Sequence, residues 1–134
     1  MKNQRSELSV KNRYYIPRLR YLELKNFALQ YPTWKLARSY INDIEAHSYS
    51  LRNVSSLSPT ELIATKKAEY DRKIEMIESA AYEADPSIAS WILEGVTHGY
   101  SYDYLSLKIN MPAGRELYYD RYRKFFWILD KKRG

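Results

Sequence analysis

Cysteine is absent from this sequence of 134 residues, and histidine and glycine are scarce, with two and four copies. Without cysteine the chain has no disulfide framework and no thiolate to bind a metal or act as a nucleophile. His47 and His98 are far apart, and neither has a second ligand at the helical spacing of a known metal motif. The few glycines form no phosphate-binding loop. We therefore expect no metal and no cofactor.

Long apolar segments are also missing. No run of about 18 apolar residues occurs, and the N-terminus is polar, without the apolar region of a signal peptide. These features predict a cytoplasmic protein with no membrane partner. No alternation of apolar and polar residues suggests a strand, so the predicted fold class is all-α. The carboxylates fall mostly beside Lys and Arg on the outer face of one long helix, where solvated ion pairs are usual. We therefore expect a protein that is not an enzyme.

Positive charge is concentrated at the two ends of the chain. The net charge is +6, but residues 57–100 carry eight acidic and only four basic side chains. Residues 1–56 and 101–134 carry ten and eight basic side chains, against four acidic ones in each. Basic ends are what the neutralisation of nucleic-acid phosphates requires, although a solvated charged face would look the same.

The N-terminal part, residues 1–56, reads as a basic arm followed by a helical hairpin. A first helix begins near Pro17 and ends at Tyr31-Pro32. The second carries an apolar stripe at three- and four-residue steps: Trp34, Ala37, Ile41, Ile44 and Leu51. This stripe is longer than two helices can easily bury alone. It predicts a homodimer, a contact with another protein, or packing against the protein's own long helix, and the pattern leaves these open. The basic side chains of this part could instead brace a phosphate backbone: Arg13, Arg18, Arg20, Lys25, Lys35 and Arg38.

Residues 57–134 read as a helical DNA-binding domain. The Ser-rich segment 52–58 is the predicted linker, and Ser58-Pro59-Thr60-Glu61 resembles a capping box at the start of a long helix that runs to about residue 82. Asp85-Pro86 then caps a fourth helix, residues 87–97, which ends at Gly99.

The end of the chain has the pattern of a helix-turn-helix at residues 101–131. A short helix at 101–109 is followed by a turn at Asn110 to Pro112 and by a basic helix at 113–131. In that helix Tyr118, Tyr122, Phe125 and Leu129 share the face predicted to meet the core. The side chains expected to contact DNA are Arg115, Glu116, Tyr119, Asp120, Arg123 and Lys124.

These side chains offer DNA different hydrogen-bonding groups. Arg115 and Arg123 can donate to guanine or to phosphate, and Tyr119 can reach a phosphate. Glu116 or Asp120 can accept from the cytosine amino group.

Three features together resemble the RinA and ArpU group of small phage transcriptional regulators. They are Tyr31-Pro32 closing an apolar helix, a Ser58-capped central helix after a Ser-rich gap, and the C-terminal segment 117–129. The resemblance implies a C-terminal helix-turn-helix similar to region 4 of sigma factors. It also implies that the chain binds double-stranded DNA upstream of a late-operon promoter, in the cytoplasm of a bacterial host, with RNA polymerase as a further partner. One departure is Asn110 in the turn, where glycine is common, but asparagine tolerates the left-handed backbone.

Two other interpretations belong to different functional classes. The helices could form a protein-interaction module in which Tyr119 and Trp127 are the contact patch. A phage small terminase subunit also combines a helix-turn-helix with an oligomerising helical region. The sequence pattern does not separate these functions. Footprinting the protein on DNA is the experiment that would distinguish them.

Overall fold

A computed structural model describes residues 10–48 and 57–134. Within these ranges the chain is helical, with one short 3-10 turn and no strand, which confirms the all-α prediction. In chain order the elements are α1 (Arg18–Leu29), α2 (Tyr31–Ser48), α3 (Leu57–Ala84), the 3-10 turn Pro86–Ile88, α4 (Ala89–His98), α5 (Tyr102–Ile109) and α6 (Arg115–Arg133).

The first two helices follow each other almost without a gap. α1 begins after Pro17, and only Gln30 separates it from α2. Pro32 lies in the first turn of α2, where the N–H that proline lacks would have no helical partner anyway. The predicted break at Tyr31-Pro32 instead lies at Gln30, and Tyr31 and Pro32 are the first two residues of α2.

α2 packs along the long central helix α3, which is one of the alternatives predicted for its apolar stripe, whereas the predicted hairpin consisted of the first two helices, α1 and α2. The Tyr31 hydroxyl donates to Glu78, and Arg38 Nη1 lies 3.0 Å from Asp71 Oδ1. Trp34 is buried with its ring centroid 4.8 Å from that of Phe27. The start of the predicted apolar stripe is thus covered by the protein's own helices.

One hydrophobic core joins all six helices. α6 packs against α1, α3 and α4, and α4 contacts every other helix. The fully buried side chains include Leu24 of α1, Ile74 and Ile77 of α3, Ile92 of α4, Leu105 of α5, and Tyr118, Phe125, Phe126 and Leu129 of α6. Three of the four α6 residues predicted to face the core are among these, and the fourth, Tyr122, is half-buried.

The start of α3 differs from the prediction. The helix begins at Leu57, so Ser58 lies inside it and the last two residues of the predicted linker 52–58 are helical. Residues 49–56, which hold the rest of that linker, lie outside the described part of the chain. The domain boundary after residue 56 stays a prediction, and the core contains side chains from both sides of it.

Near the start of α3, Leu62 faces solvent. It is 65% exposed, while its neighbour Ile63 is half-buried. Successive helical residues point about 100° apart, so both side chains cannot face α2.

Two features are absent from the part of the chain that the structure describes. None of the described helices combines the length and apolar character needed to cross a membrane. In the same part of the chain, no group of three or more His, Asp or Glu side chains is arranged to hold a metal ion.

Candidate nucleic-acid interface

α5 is a short helix with well-defined ends. The Ser101 hydroxyl accepts from the Tyr104 N–H at 3.1 Å, which caps the N-terminus. Asn110 ends the helix in the left-handed conformation, with φ 57° and ψ 41°. The Asn110 and Met111 N–H groups both donate to the Leu105 carbonyl, the latter at 3.1 Å, which satisfies a carbonyl at the end of the helix. The prediction that Asn110 occupies a left-handed turn position is confirmed.

Hydrogen bonds from neighbouring helices hold the turn between α5 and α6. Trp91 Nε1 of α4 donates to the Ile109 carbonyl at 2.8 Å. The Tyr102 hydroxyl donates to the Ala113 carbonyl at 2.8 Å. Gly114 is extended and precedes α6, which therefore begins at Arg115 rather than at the predicted residue 113. The turn is thus tied to both α4 and α5.

A close contact at Gly95 brings α4, α5 and α6 together. A Cβ atom on Gly95 would overlap the Tyr118 hydroxyl and would lie 3.2 Å from Leu105 Cδ1. The Tyr118 hydroxyl is buried without a hydrogen-bond partner among the described residues, and burial raises its pKa. The absence of a side chain at Gly95 is what allows Tyr118 to occupy this position.

Arg115 and Glu116 are exposed on the first turn of α6. Arg115 Nη2 lies 2.8 Å from Asp103 Oδ1 of α5, and its guanidinium group lies 5.0 Å from the Tyr102 ring centroid. The ion pair is solvent-exposed, so it contributes little to stability and can be exchanged for another anion. Arg115 is therefore oriented toward α5 and remains accessible.

Tyr119 and Asp120 lie one turn further along α6 and are half-buried. The Tyr119 ring is surrounded by other tyrosine rings, with centroids 5.1 Å from Tyr118 and 5.7 Å from Tyr122. Asp120 Oδ2 accepts from Arg121 Nη1 at 2.5 Å. A base contact by Asp120 would require that pair to open.

Arg121 is a residue whose role the sequence pattern did not indicate. Its Nε lies 2.9 Å from Asp85 Oδ2, which joins α6 to the start of the 3-10 turn. Partial burial by itself would raise the pKa of Asp85. The hydrogen bonds from Ser87 and Arg121 outweigh that effect and hold the pKa below its ordinary value. Arg121 therefore fastens α6 to the core and is already engaged by two carboxylates.

Arg123 and Lys124 form a second group on α6, separate from Arg115 and Glu116. Eight residues of helix separate Arg115 from Arg123, which corresponds to about 12 Å. Both Arg123 and Lys124 are half-buried, and neither has a carboxylate within 4.0 Å among the described residues. The Arg123 Nε is buried and lacks a hydrogen-bond partner there.

Beside this second group the N-terminal segment crosses α6, a contact that sequence reasoning missed. The Tyr14 and Trp127 ring centroids are 5.5 Å apart, and Tyr14 is buried. Arg13 lies over the Tyr14 ring at 4.8 Å, and Lys131 Nζ lies over the Trp127 ring at 4.2 Å. No periodic pattern signals this contact, because its partners are more than a hundred residues apart. Residues 10–13, which the sequence placed in an irregular arm, form turns here.

The predicted DNA contacts therefore fall into two sets along one helix. Arg115, Glu116 and Tyr119 lie at the N-terminal end of α6, while Arg123 and Lys124 lie near its middle.

No protein-family model matches this chain, and neither the curated proteins nor the solved structures contain a match to it.

Proposed function

We propose that this protein binds double-stranded DNA and regulates phage or prophage transcription, with the first turns of α6 in the major groove. The observation that carries the proposal is the tied turn between α5 and α6, which leaves Arg115 and Glu116 exposed at the start of a helix. The resemblance to RinA and ArpU regulators supplies the expectation of a late operon, and the geometry supports only the DNA-binding part.

The dimensions of the helices suit this mode of binding. The major groove is about 12 Å wide and admits one α-helix, whose N-terminal residues reach the base edges. The N-terminus of α6 carries the positive end of the helix dipole. Arg115 is suited to guanine or phosphate once it leaves Asp103, and Glu116 is suited to the cytosine amino group.

A homodimer is part of the proposal, and its contact is formed by exposed apolar side chains of α2 and of the first turns of α3. Leu36, Tyr40 and Ile44 recur every four residues along α2 and are 59%, 62% and 49% exposed. Leu62 of α3 is exposed as well. A two-fold dimer through this stripe would match a DNA site made of two half-sites. The same stripe would serve a protein-interaction module, which is the second candidate function. RNA polymerase is a further proposed partner, with no residue assigned to it.

DNA binding is tested by footprinting the full chain on its own genomic DNA and measuring affinity for the protected site by fluorescence anisotropy. Arg115→Ala should weaken binding by about 1 to 3 kcal/mol, or roughly tenfold to a hundredfold. Arg72→Ala is the matched control, because Arg72 is exposed on α3. Equal effects of the two substitutions would refute the placement of α6.

The dimer is tested by sedimentation of the full chain. Tyr40→Lys should shift the protein toward monomer because it places a charge in the apolar stripe. A wild-type monomer at tens of micromolar would remove the dimer from the proposal.

A further inference from the structure

The second basic group on α6, Arg123 and Lys124, lies beside aromatic rings and further cations. A simple solvated charged face would not need these neighbours. We define the Trp127 surface as four cationic side chains around two aromatic rings: Arg13, Arg123, Lys124 and Lys131 around Tyr14 and Trp127. Arg123 and Lys131 lie one helical turn on either side of Trp127, so all three share a face. Tyr14, in contact with Trp127, brings Arg13 to the same place.

The charge of this surface is not neutralised by the neighbouring acidic side chains. Asp120 is paired with Arg121, and Asp130 Oδ1 lies 2.5 Å from Arg20 Nε. These pairs hold the two acidic residues of α6 that lie nearest along the helix. Among the described residues, none of the four cations of the Trp127 surface has a carboxylate within 4.0 Å.

The aromatic rings restrict where the cations can go. Lys131 lies over Trp127, and Arg13 lies over Tyr14, each within the range of a cation–π interaction. Such contacts reduce the conformational entropy that a long cationic side chain loses when it binds a ligand. Arg123 is half-buried and its Nε is fully buried, so this side chain too is held against the surface of the protein.

The Trp127 surface lies on the same face of α6 as the exposed Glu116 at the start of the helix. Glu116, Arg123 and Trp127 lie within about 40° of one another around the helix axis. Trp127 is eleven residues beyond Glu116, or about 16 Å along the helix. A helix that enters the major groove at its N-terminus meets the flanking sugar-phosphate backbone at about this distance, since the groove is about 12 Å wide.

We propose that the Trp127 surface binds the backbone phosphates of double-stranded DNA beside the groove occupied by the start of α6. The inference rests on the proposed function. It adds the N-terminal segment at Arg13 and the end of α6 at Lys131 to the interface. Phosphate contacts position a protein on DNA without reading its sequence. The Trp127 surface thus supplies affinity, and the first turn of α6 supplies preference.

The test compares the salt dependence of binding for a double variant and a charge-matched control. Arg13→Gln with Lys131→Gln removes two exposed cations of the surface, and Lys66→Gln with Arg72→Gln removes two exposed cations of α3. Affinities of the full chain for its footprinted site and for a scrambled duplex are measured between about 50 and 200 mM salt. Circular dichroism checks that every variant is folded.

Each lost phosphate contact lowers the slope of log affinity against log salt by about 0.9. The double variant should therefore lower the slope by about 1.8 on both duplexes and keep the wild-type ratio of affinities between them. The α3 control should keep the wild-type slope. A wild-type slope in the double variant would overturn the inference.

The two proposals fail in different ways. If Arg115→Ala reduces the preference for the site while the double variant at Arg13 and Lys131 keeps the wild-type slope, DNA binding by α6 stands and the Trp127 surface is excluded from the interface. If the wild-type chain binds neither duplex, the proposed function fails together with the inference. A reduced slope on the specific site alone would also contradict a sequence-independent phosphate contact.

Discussion

The contact between Gly95 and Tyr118 gives a stability prediction with a defined sign. In Gly95→Ala the new methyl group would overlap the Tyr118 hydroxyl and approach Leu105 Cδ1 at 3.2 Å. The Tyr118 ring cannot easily move, because the rings of Tyr102, Tyr119 and Tyr122 have centroids within 6.0 Å of its own. Overpacking a core costs about 1 to 3 kcal/mol, against a gain of about 1 kcal/mol for alanine over glycine in a helix. These ranges give a net loss of up to about 2 kcal/mol in the free energy of unfolding, with about 1 kcal/mol at their midpoint.

Tyr118→Phe should have the opposite effect. It removes a buried hydroxyl that has no partner in the described structure, and such a group costs about 1 to 3 kcal/mol. We expect the variant to be about as stable as the wild type or more stable by about 1 kcal/mol. Tyr82→Phe is the control, because that tyrosine is exposed and should change stability by less than about 0.5 kcal/mol.

The double variant tests the steric argument directly. Without the hydroxyl, the nearest atom of ring 118 to the new methyl group is Cζ, at 3.5 Å, which is an ordinary contact. Gly95→Ala with Tyr118→Phe should therefore exceed the wild-type stability by about 1 kcal/mol or more, from helix propensity and the removed hydroxyl together. The coupling free energy between the two sites should be about 2 kcal/mol, measured by urea unfolding followed by far-UV circular dichroism. Additive effects within about 0.5 kcal/mol would refute the contact.

Two further predictions concern the turn and the carboxylate that hold α6. Asn110→Ala should lower the free energy of unfolding by about 1 kcal/mol, because alanine lacks the short polar side chain that lets asparagine tolerate the left-handed backbone. Asn110→Gly should keep or raise it because glycine has no Cβ, and equal urea midpoints for the two variants would contradict this. Asp85→Asn keeps a capping side chain but loses the charge paired with Arg121, so it should cost about 1 to 2 kcal/mol above pH 5. Because the pKa of Asp85 is below its ordinary value of 3.8 in the folded protein, that stability is present above pH about 4 and is lost as pH falls through the lower folded-state pKa. Urea unfolding at several pH values should therefore show the difference between variant and wild type shrinking from pH 4 downward, and a difference independent of pH would argue against the ion pair.

Local signals in the sequence were sufficient for most helix ends. Asp85-Pro86, Gly99 and Asn110 each act through the backbone of their immediate neighbours, so their roles could be predicted without knowledge of the tertiary structure. The predicted capping box at Ser58 failed because α3 already includes Leu57, two residues before the predicted first helical residue Pro59. A capping pattern is a local preference that helix packing can override.

The candidate interface was predicted only where it is local. Arg115 and Glu116 are exposed because they follow a turn that the sequence marks, and their exposure was expected. The contacts of Arg121 with Asp85 and of Tyr14 with Trp127 join distant segments and leave no periodic trace. The environment of a side chain on α6 therefore depends on which helix lies beside it, and this information is absent from the pattern of α6 alone.

The contacts between the first and last helices determine when this chain can finish folding. Tyr21 of α1 packs edge-on against Phe126, and Arg20 pairs with Asp130 of α6. During synthesis α1, α3 and α4 emerge before α6, so the apolar faces that α6 will cover remain open until α6 has left the ribosome. Loss of the last two turns would remove Leu129, Asp130 and the stacked Arg133 together. Truncation of the last two turns of α6 should therefore leave an unfolded, protease-sensitive chain rather than a shortened functional one.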